Sequence, residues 1–209
     1  MSQGKQIGII GINTDVGKTV VAAILTEALS GYYWKPVQCG LQRDRDWVNE
    51  RLSQENRCYP ARFDLDTPCS PHQAARIQGV RIQARDLIPP PCSDPLIIEG
   101  TGGLLSPLNE TQSWADAAVL WNARWILVHH PYLGSLNHFF LTIEAMQSRK
   151  LPLLGIVFNG EIDADTEEML LKRTHTRCLG RLSWQQQLTP ANLQKIAKEW
   201  KAMFWLKEI

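Results

Sequence analysis

The sequence predicts an α/β fold in which a single doubly wound, mostly parallel sheet is covered by helices on both faces. Three observations support this prediction. Short apolar segments alternate with helical patterns along most of the chain, which is typical of βαβ units. A glycine-rich turn joins the first strand to the first helix. The length of 209 residues suits one domain that spans residues 1–209.

The predicted elements run from an N-terminal strand to a C-terminal helix. Apolar runs bounded by polar or turn residues predict strands at Gln6–Gly11, Tyr32–Pro36, Asp94–Glu99, Trp125–His129, Pro152–Phe158 and Cys178–Leu182. Helical periodicity without internal breakers predicts helices at Lys18–Leu29, Ser113–Trp121, Ser135–Ser148, Asp163–Lys172 and Pro190–Lys207. The polar, proline-rich stretch Asp44–Pro91 gives the weakest signal, with helical fragments at Trp47–Leu52 and Pro71–Ile77.

The composition predicts a cytoplasmic protein that binds neither nucleic acid nor a membrane. The formal net charge is +1, and no run of lysine and arginine is long enough to follow a phosphate backbone. No apolar run is long enough to cross a bilayer, and no basic-then-apolar leader precedes the first strand. The five cysteines lack the C-x-x-C spacing of metal sites, which fits a reducing compartment.

The strongest functional motif is the segment Gly11–Thr19, Gly-Ile-Asn-Thr-Asp-Val-Gly-Lys-Thr. Small residues let backbone N–H groups converge on phosphate oxygens, and the following helix adds the positive end of its dipole. Lys18 supplies a cation for the β- and γ-phosphates, and the Thr19 hydroxyl can coordinate Mg²⁺. The loop is one residue longer than the usual G-x-x-x-x-G-K-[ST] pattern. Its position between an apolar strand and a helix still predicts a P-loop that binds a nucleotide.

Carboxylates and a second lysine are expected at the same edge of the sheet. Glu99 ends an apolar strand and precedes Gly100–Gly103, a run that lets the backbone approach a ligand closely. Because the carboxyl ends of parallel strands meet at the ligand crevice, Glu99 is a candidate ligand for Mg²⁺. Asp44 and Asp46 are further candidates, or else a helix N-cap and its neighbour. Lys35 could stabilise charge during phosphoryl transfer, or else be a surface lysine.

Taken together, these motifs resemble those of the dethiobiotin synthetase family. The stretches that carry the resemblance follow one another along the chain as the long phosphate loop, Tyr33–Val37, Ser70–His72, Ile98–Leu104, Leu133–His138 and Gly155–Asn159. The resemblance covers about Gly8 to Trp184, and the extended loop is the family's own form. It implies a cyclo-ligase that uses ATP and Mg²⁺ to join CO₂ to 7,8-diaminononanoate, giving dethiobiotin, ADP and phosphate in biotin biosynthesis.

The resemblance also implies which residues bind ATP and Mg²⁺. The phosphates would be wrapped by Asp15, Val16, Gly17, Lys18, Thr19 and Val20. Mg²⁺ would be held by Thr19, Asp46 and Glu99, with Asp46 preferred to Asp44. Lys35 and Lys18 would stabilise the transferring phosphoryl group. The remaining nucleotide contacts would come from Gly100, Thr101, Gly102, Asn159, Gly160, Ser183, Trp184 and Gln185.

The substrate contacts implied by the resemblance come from Thr14, Lys35, Cys39, Gly134, Ser135, Leu136 and Asn137. The segment Gly134–Asn137 opens a helix and resembles the part of the family that takes the substrate carboxylate across a homodimer interface, so we expect a homodimer. Cys39 stands where family members have a serine near the substrate amines, and a thiol is the weaker hydrogen-bond partner. Glu168 stands near the place of an aromatic residue that reaches the partner's substrate.

Other P-loop proteins are the alternatives. Ligases that act on cobyrinate usually carry a glutamine amidohydrolase domain, for which this chain has no room. A regulatory ATPase that positions partners on membranes would have a second lysine near the start of the loop, where Asn13 and Thr14 stand. A small-molecule kinase remains possible on the residues alone.

Overall fold

The computed structural model describes residues 4–183 and 188–203. Its strands lie at Gln6–Gly11 (β1), Tyr32–Trp34 (β2), Val37–Cys39 (β3), Cys58–Tyr59 (β4), Phe63–Leu65 (β5), Leu96–Gly103 (β6), Ala123–His129 (β7), Leu153–Asn159 (β8) and Cys178–Leu182 (β9). Its helices lie at Lys18–Leu29 (α1), Asp44–Asn49 (α2), Pro71–Ile77 (α3), Trp114–Ala118 (α4), Ser135–Ser148 (α5), Ala164–Thr174 (α6) and Pro190–Lys201 (α7).

The main sheet of the described residues has the strand order β4-β2-β6-β1-β7-β8-β9, and each of its strand pairs is parallel. The predicted α/β class with a mostly parallel sheet is therefore confirmed. The chain leaves β1 toward β2 on one side and later passes to β7 on the other. The carboxyl ends of β1 and β6 thus lie at the point where the winding changes direction, which is the place where doubly wound sheets bind ligands.

The core lies on both sides of this sheet. All six residues of β1 are buried, and successive strand residues point to opposite faces, so both faces of the central strand are covered. Tryptophans fill one part of the core. Trp121 packs against Trp34, Trp114 and Trp125 with ring centroids 5.4–6.1 Å apart. Among the described helices, none combines the length and apolarity that a bilayer span requires.

Several element boundaries differ from the prediction. The strand predicted to reach Pro36 ends at Trp34, and Val37–Cys39 instead pairs with β5 in a separate two-stranded sheet. Proline has no N–H to donate, so the chain leaves the main sheet there. The strand predicted to end at Glu99 continues through the glycine run to Gly103. Helix α2 begins at Asp44 and not at Trp47. The predicted end of the last helix, Lys207, lies outside the described residues.

Candidate functional site

The phosphate loop joins β1 to α1 and contains two residues in the left-handed region. Asp15 has a φ of 57° and Gly17 a φ of 93°, and such turns aim successive N–H groups into one concavity. A Cβ on Gly17 would lie 2.2 Å from the amide nitrogen of Asn159. That amide nitrogen donates to the Val16 carbonyl at 3.0 Å. Only glycine fits here, because the loop needs both the positive φ and the close approach of Asn159.

Lys18 is held inside the loop that it closes. Its side chain is 7% exposed, and its Nζ donates to the Asn13 carbonyl at 2.8 Å. Burial lowers the pKa of Lys18 to about 8, while nearby Glu99 opposes this shift and Lys35 adds to it. A triphosphate would raise the pKa of Lys18 again, because an anion beside a lysine favours its charged form.

A cluster of charged side chains lies next to the loop, at the carboxyl end of β6. The Thr19 hydroxyl donates to Glu99 Oε1 at 2.8 Å and lies 3.4 Å from Asp44 Oδ1. Lys35 Nζ donates to Glu99 Oε1 at 3.1 Å and forms an ion pair with Asp44 Oδ2. The structure therefore brings together Thr19, Lys35 and Glu99, which were predicted to act together, and adds Asp44.

Asp46 is not part of this cluster. Its carboxylate is 54% exposed and pairs with Arg45, its chain neighbour, at 2.8 Å. Residues 44 and 46 point in different directions because both lie in the first turn of α2, where neighbours two positions apart do not share a face. Asp44, and not the preferred Asp46, is the carboxylate that faces Thr19 and Lys35.

The two neighbouring carboxylates hold Lys35 in its protonated state. The side chain is 11% exposed, Glu99 is 1% exposed and Asp44 is 29% exposed. Burial lowers the pKa of Lys35, but the two carboxylates raise it by more, so the pKa lies above its ordinary value. The surface-lysine interpretation is thereby removed. Lys35 is a permanent buried cation between two carboxylates.

These groups line one crevice of about 1330 Å³ along the carboxyl edge of the sheet. Its wall includes most of the predicted site residues, namely Thr14, Asp15, Gly17, Lys18, Thr19, Val20, Lys35, Cys39, Glu99, Thr101, Gly102, Asn159 and Ser183. Gly102 has a φ of 67°, and a Cβ added to it would lie 2.4 Å from Ser106 Oγ and 3.6 Å from Thr14 Oγ1. A side chain at position 102 would therefore obstruct the crevice beside Thr14.

Three other predicted nucleotide residues are not in the wall of this crevice. Val16 is buried and offers its carbonyl to Asn159. Gly100 faces the core, where its hypothetical Cβ would meet Trp114 Nε1 at 2.9 Å. The Gly160 N–H donates to the Leu182 carbonyl at 2.8 Å, which ties the end of β8 to β9. The predicted contacts of Trp184 and Gln185 lie outside the described residues.

Cys39 lines the crevice close to Lys35. Burial raises the pKa of its thiol to about 11, although Lys35 opposes this shift. The thiol is thus neutral near pH 7, and it can serve as a weak hydrogen-bonding group but not as a thiolate nucleophile.

The predicted substrate segment Gly134–Asn137 is not in the wall of this crevice. It forms the start of α5, where Leu136 and Asn137 are exposed and Ser135 is buried. A hydrogen-bonded chain connects it to the phosphate loop. Asn13 donates to the Tyr132 hydroxyl at 3.2 Å, and that hydroxyl lies 2.7 Å from Nδ1 of His138. Glu168 pairs with Lys172 on the exposed face of α6.

The sequence did not indicate several residues of the crevice. Gln38 and Trp47 line it directly, and Tyr33 lies behind it and donates to Glu99 Oε2 at 2.7 Å. Arg181 also lines it and pairs with buried Glu167, with Nε 2.9 Å from Oε2. The sequence predicts no role for these residues, because their places in or behind the crevice follow from the tertiary structure. Tyr33 lies with Lys35 in the stretch Tyr33–Val37 that carries the family resemblance, but only the structure shows its hydrogen bond to Glu99.

Comparisons with known proteins point to one family of enzymes. A family model described as an AAA domain matches residues 5–192. Three curated relatives are each named ATP-dependent dethiobiotin synthetase BioD. The one from Afipia carboxidovorans is 45% identical over 190 residues, covering 89% of this chain and 90% of the relative. The one from Rhodopseudomonas palustris is 43% identical and covers 90% of this chain and 91% of the relative. The one from Brucella melitensis is also 43% identical and covers 88% of this chain and 89% of the relative.

Solved structures with a similar fold are much more distant in sequence. A plasmid partition protein from Borrelia burgdorferi superimposes with a TM-score of 0.61 at 12% identity over the whole of both chains. A ParA family ATPase from Chlorobium tepidum gives 0.58 at 14% identity, covering 94% of this chain and 98% of that one. MinD complexed with Mg-ADP from Pyrococcus horikoshii gives 0.55 at 16% identity, covering 97% and 90%. At these identities the likeness concerns the fold alone.

Proposed function

The chain belongs to the family of ATP-dependent dethiobiotin synthetases, and we propose that the crevice beside its phosphate loop is the place where it makes dethiobiotin. The activity is ATP-dependent closure of a cyclic urea in biotin biosynthesis. In this reaction one amine of 7,8-diaminononanoate captures CO₂ as a carbamate, and ATP phosphorylates the carbamate oxygen. The second amine then attacks the carbonyl carbon and expels phosphate. ATP is needed because phosphate leaves readily and the carbamate oxygen does not.

The observation that supports this site best is the cluster of Lys35, Asp44 and Glu99 directly beside the phosphate loop. A phosphate-binding loop alone is common to many nucleotide-binding proteins. A buried lysine at the carboxyl edge, held protonated between two carboxylates, adds a fixed positive charge where a phosphoryl group would move between ATP and a second substrate.

The donor atoms of the cluster suit Mg²⁺. Thr19, Asp44 and Glu99 offer hydroxyl and carboxylate oxygens, which are the hard ligands that Mg²⁺ takes together with phosphate and water. We therefore assign these three residues as the magnesium site, with Asp44 in the place predicted for Asp46. Bound there, Mg²⁺ would neutralise charge on the nucleotide phosphates.

The two lysines would stabilise negative charge at different places. Lys18 would turn from the Asn13 carbonyl to the β- and γ-phosphates, and the loop N–H groups of Asp15 to Val20 would surround the same oxygens. Lys35 would hold the carbamate oxygen and the phosphoryl group on its way to it. Without bound metal the pKa of Lys35 lies above its ordinary value, so Lys35 meets the substrate as a hydrogen-bond donor and not as a base.

The diamine end of the substrate is assigned to the part of the crevice between Lys35, Thr14 and Cys39. Thr14 is exposed and lies opposite Gly102, which leaves room for a chain of methylene groups. The exposed start of α5, Gly134–Asn137, is outside this crevice, so we propose that it receives the substrate carboxylate from the crevice of a second copy in a homodimer.

The adenine is assigned to the far side of the loop. Asn159 is 5% exposed and supports the loop through the Val16 carbonyl. Ser183 lines the crevice beyond it, at the end of β9. Gly160 keeps the two strand ends together through its bond to Leu182, and the backbone of residues 183–185 would complete the contact with the base.

Product analysis tests the reaction. The protein is incubated with Mg-ATP, ¹³C-bicarbonate and 7,8-diaminononanoate, and ADP and dethiobiotin are measured by mass spectrometry. We expect ADP and heavy dethiobiotin to form together and only when the diamine is present. ADP release that ignores the diamine would indicate a regulatory ATPase, and a phosphorylated diamine without ring closure would indicate a small-molecule kinase.

Subunit mixing tests the shared site. A variant with Lys35→Gln and a variant with Gly134→Val are each expected to be inactive as homodimers. Random mixing of the two subunits yields mixed dimers with one intact site, and about a quarter of the wild-type activity should return. No recovery in a confirmed mixed dimer would mean that the start of α5 does not serve the crevice of the partner subunit.

A further inference from the structure

Tyr33 holds one oxygen of Glu99. Its side chain is completely buried, and its hydroxyl donates to Glu99 Oε2 at 2.7 Å. The other oxygen of the same carboxylate, Oε1, faces Thr19 and Lys35. The two oxygens of Glu99 therefore have separate tasks. One is tied to the core of the sheet, and the other points into the crevice.

The strand register explains how the two residues meet. Tyr33 lies opposite Ile97 in the parallel pair of β2 and β6, two residues before Glu99. The Tyr33 hydroxyl is the donor in this contact, because a carboxylate oxygen can only accept. A carboxylate held in this way has one orientation about its terminal bond.

Gln38 holds the segment that carries the second carboxylate. Its side chain is 5% exposed. Its Oε1 accepts from the Asp44 N–H at 3.3 Å, and its Nε2 donates to the Gln42 carbonyl at 3.1 Å and to the Cys39 carbonyl at 3.3 Å. Arg43, the residue before α2, makes no side-chain cap of that helix. The Gln38 amide therefore satisfies the first N–H of α2 and closes the loop from residue 39 to residue 44.

We infer that Tyr33 and Gln38 are positioning residues for the metal site, Tyr33 by orienting Glu99 and Gln38 by placing Asp44. This inference rests on the proposed function, in which Thr19, Asp44 and Glu99 hold Mg²⁺. Tyr33 acts through the Glu99 carboxylate, and Gln38 acts through the backbone N–H of Asp44. Groups that orient metal ligands in this way typically change metal affinity or activity by about 10- to 100-fold when they are removed.

Two variants that keep the side-chain volume test the inference. Tyr33→Phe removes only the hydroxyl, and Gln38→Met removes the amide while keeping the length of the side chain. Tyr59→Phe is the matched control, because the Tyr59 hydroxyl donates to the Pro91 carbonyl, away from the crevice. Binding of Mn²⁺ in the presence of ADP is followed by electron paramagnetic resonance, and binding of ADP without metal is followed by calorimetry.

We expect Tyr33→Phe and Gln38→Met each to weaken Mn²⁺ binding by about 10-fold or more. Binding of ADP without metal should stay within about threefold of the wild type, because the phosphate loop is untouched. The control Tyr59→Phe should match the wild type in both measurements. Thermal unfolding of each variant without ligands shows that it is folded, and the second variant keeps the test open if the first one unfolds.

Unchanged Mn²⁺ affinity in both variants would overturn the inference. Equal losses of Mn²⁺ affinity and metal-free ADP affinity would also overturn it, because they would mean a general disturbance of the crevice. Failure of the proposed function is separate, because it would be seen in the wild type as absence of dethiobiotin. The positioning roles are judged only from the difference between variant and wild type.

Discussion

Replacing Lys35 with glutamine removes the positive charge that lies between Asp44 and Glu99. Lys35 Nζ lies 3.1 Å from Glu99 Oε1. At an effective dielectric constant of about 20, two unit charges at this distance attract each other by about 5 kcal/mol. Part of this energy offsets the cost of burying the charges, and breaking a buried pair from one side typically costs about 3–5 kcal/mol. We expect Lys35→Gln to lower the free energy of unfolding by about 3 kcal/mol, because Asp44 remains partly exposed.

The assay compares urea unfolding with and without Mg²⁺. In the variant, a divalent cation is the group best able to neutralise the two carboxylates, so added Mg²⁺ should raise its stability more than that of the wild type. Lys172→Gln is the matched control. Lys172 pairs with Glu168 on the exposed surface of α6, and its removal should leave the unfolding midpoint unchanged.

The same variant separates chemistry from nucleotide binding. Loss of a group that stabilises transition-state charge typically lowers kcat by about 100- to 1000-fold. The Kd for ATP should change by less than about threefold, because Lys35 contacts the carboxylates and not the loop. Equal losses in turnover and ATP affinity, or an unfolding midpoint identical to that of the wild type, would refute the role given to Lys35.

Three further predictions concern the metal, the loop and the core. Asp44→Asn should raise the Mg²⁺ concentration for half-maximal activity by about tenfold or more, and Asp46→Asn should not; a reversed result would restore Asp46 as the ligand. Gly17→Ala should abolish ATP binding in calorimetry. The control is Gly79→Ala, because Gly79 has a φ of 68° and no atom within 4 Å of a hypothetical Cβ. In urea unfolding this control should lose only the roughly 1–2 kcal/mol of backbone strain, and it should still bind ATP. Burial lowers the pKa of His129 to about 4. On acidification the unfolded chain therefore protonates this histidine at a higher pH than the folded protein does. The free energy of unfolding should fall as the pH drops from about 6.5 to about 4, by at most about 3 kcal/mol. The variant His129→Phe should lose this part of the acid sensitivity in denaturant titrations, and an unchanged slope would contradict the assignment.

The regular elements and the phosphate loop were predictable because local sequence determines them. The strand Gln6–Gly11, the helix Lys18–Leu29 and the helix Ser135–Ser148 have the predicted boundaries. In each of them the pattern of apolar residues and the flanking turn residues agree. The loop could be recognised for the same reason, since its glycines and Lys18-Thr19 stand together in the chain.

Short strands and the exact arrangement of the carboxylates were not predictable. Strands β4 and β5 have two and three residues, which is too few for a periodic pattern, and they form only because β2 and β3 offer partners. Asp44 and Asp46 have the same chemistry in the sequence. The position at which α2 starts determines which of the two carboxylates faces Thr19. Gln38 helps to fix that position, because its side-chain oxygen accepts from the Asp44 N–H.

The sequence by itself determined that this chain folds as a parallel α/β protein, that it has a phosphate-loop motif after its first strand, and that it resembles the dethiobiotin synthetases. These features follow from residues adjacent in the chain or at a regular spacing. Only the tertiary structure decided that Lys35 lies between two carboxylates, that Asp44 faces Thr19, and that Tyr33 orients Glu99. Those arrangements depend on which strands become neighbours in the sheet and on where α2 begins. They join residues that lie 9 to 66 positions apart in the chain and carry no local sign of one another.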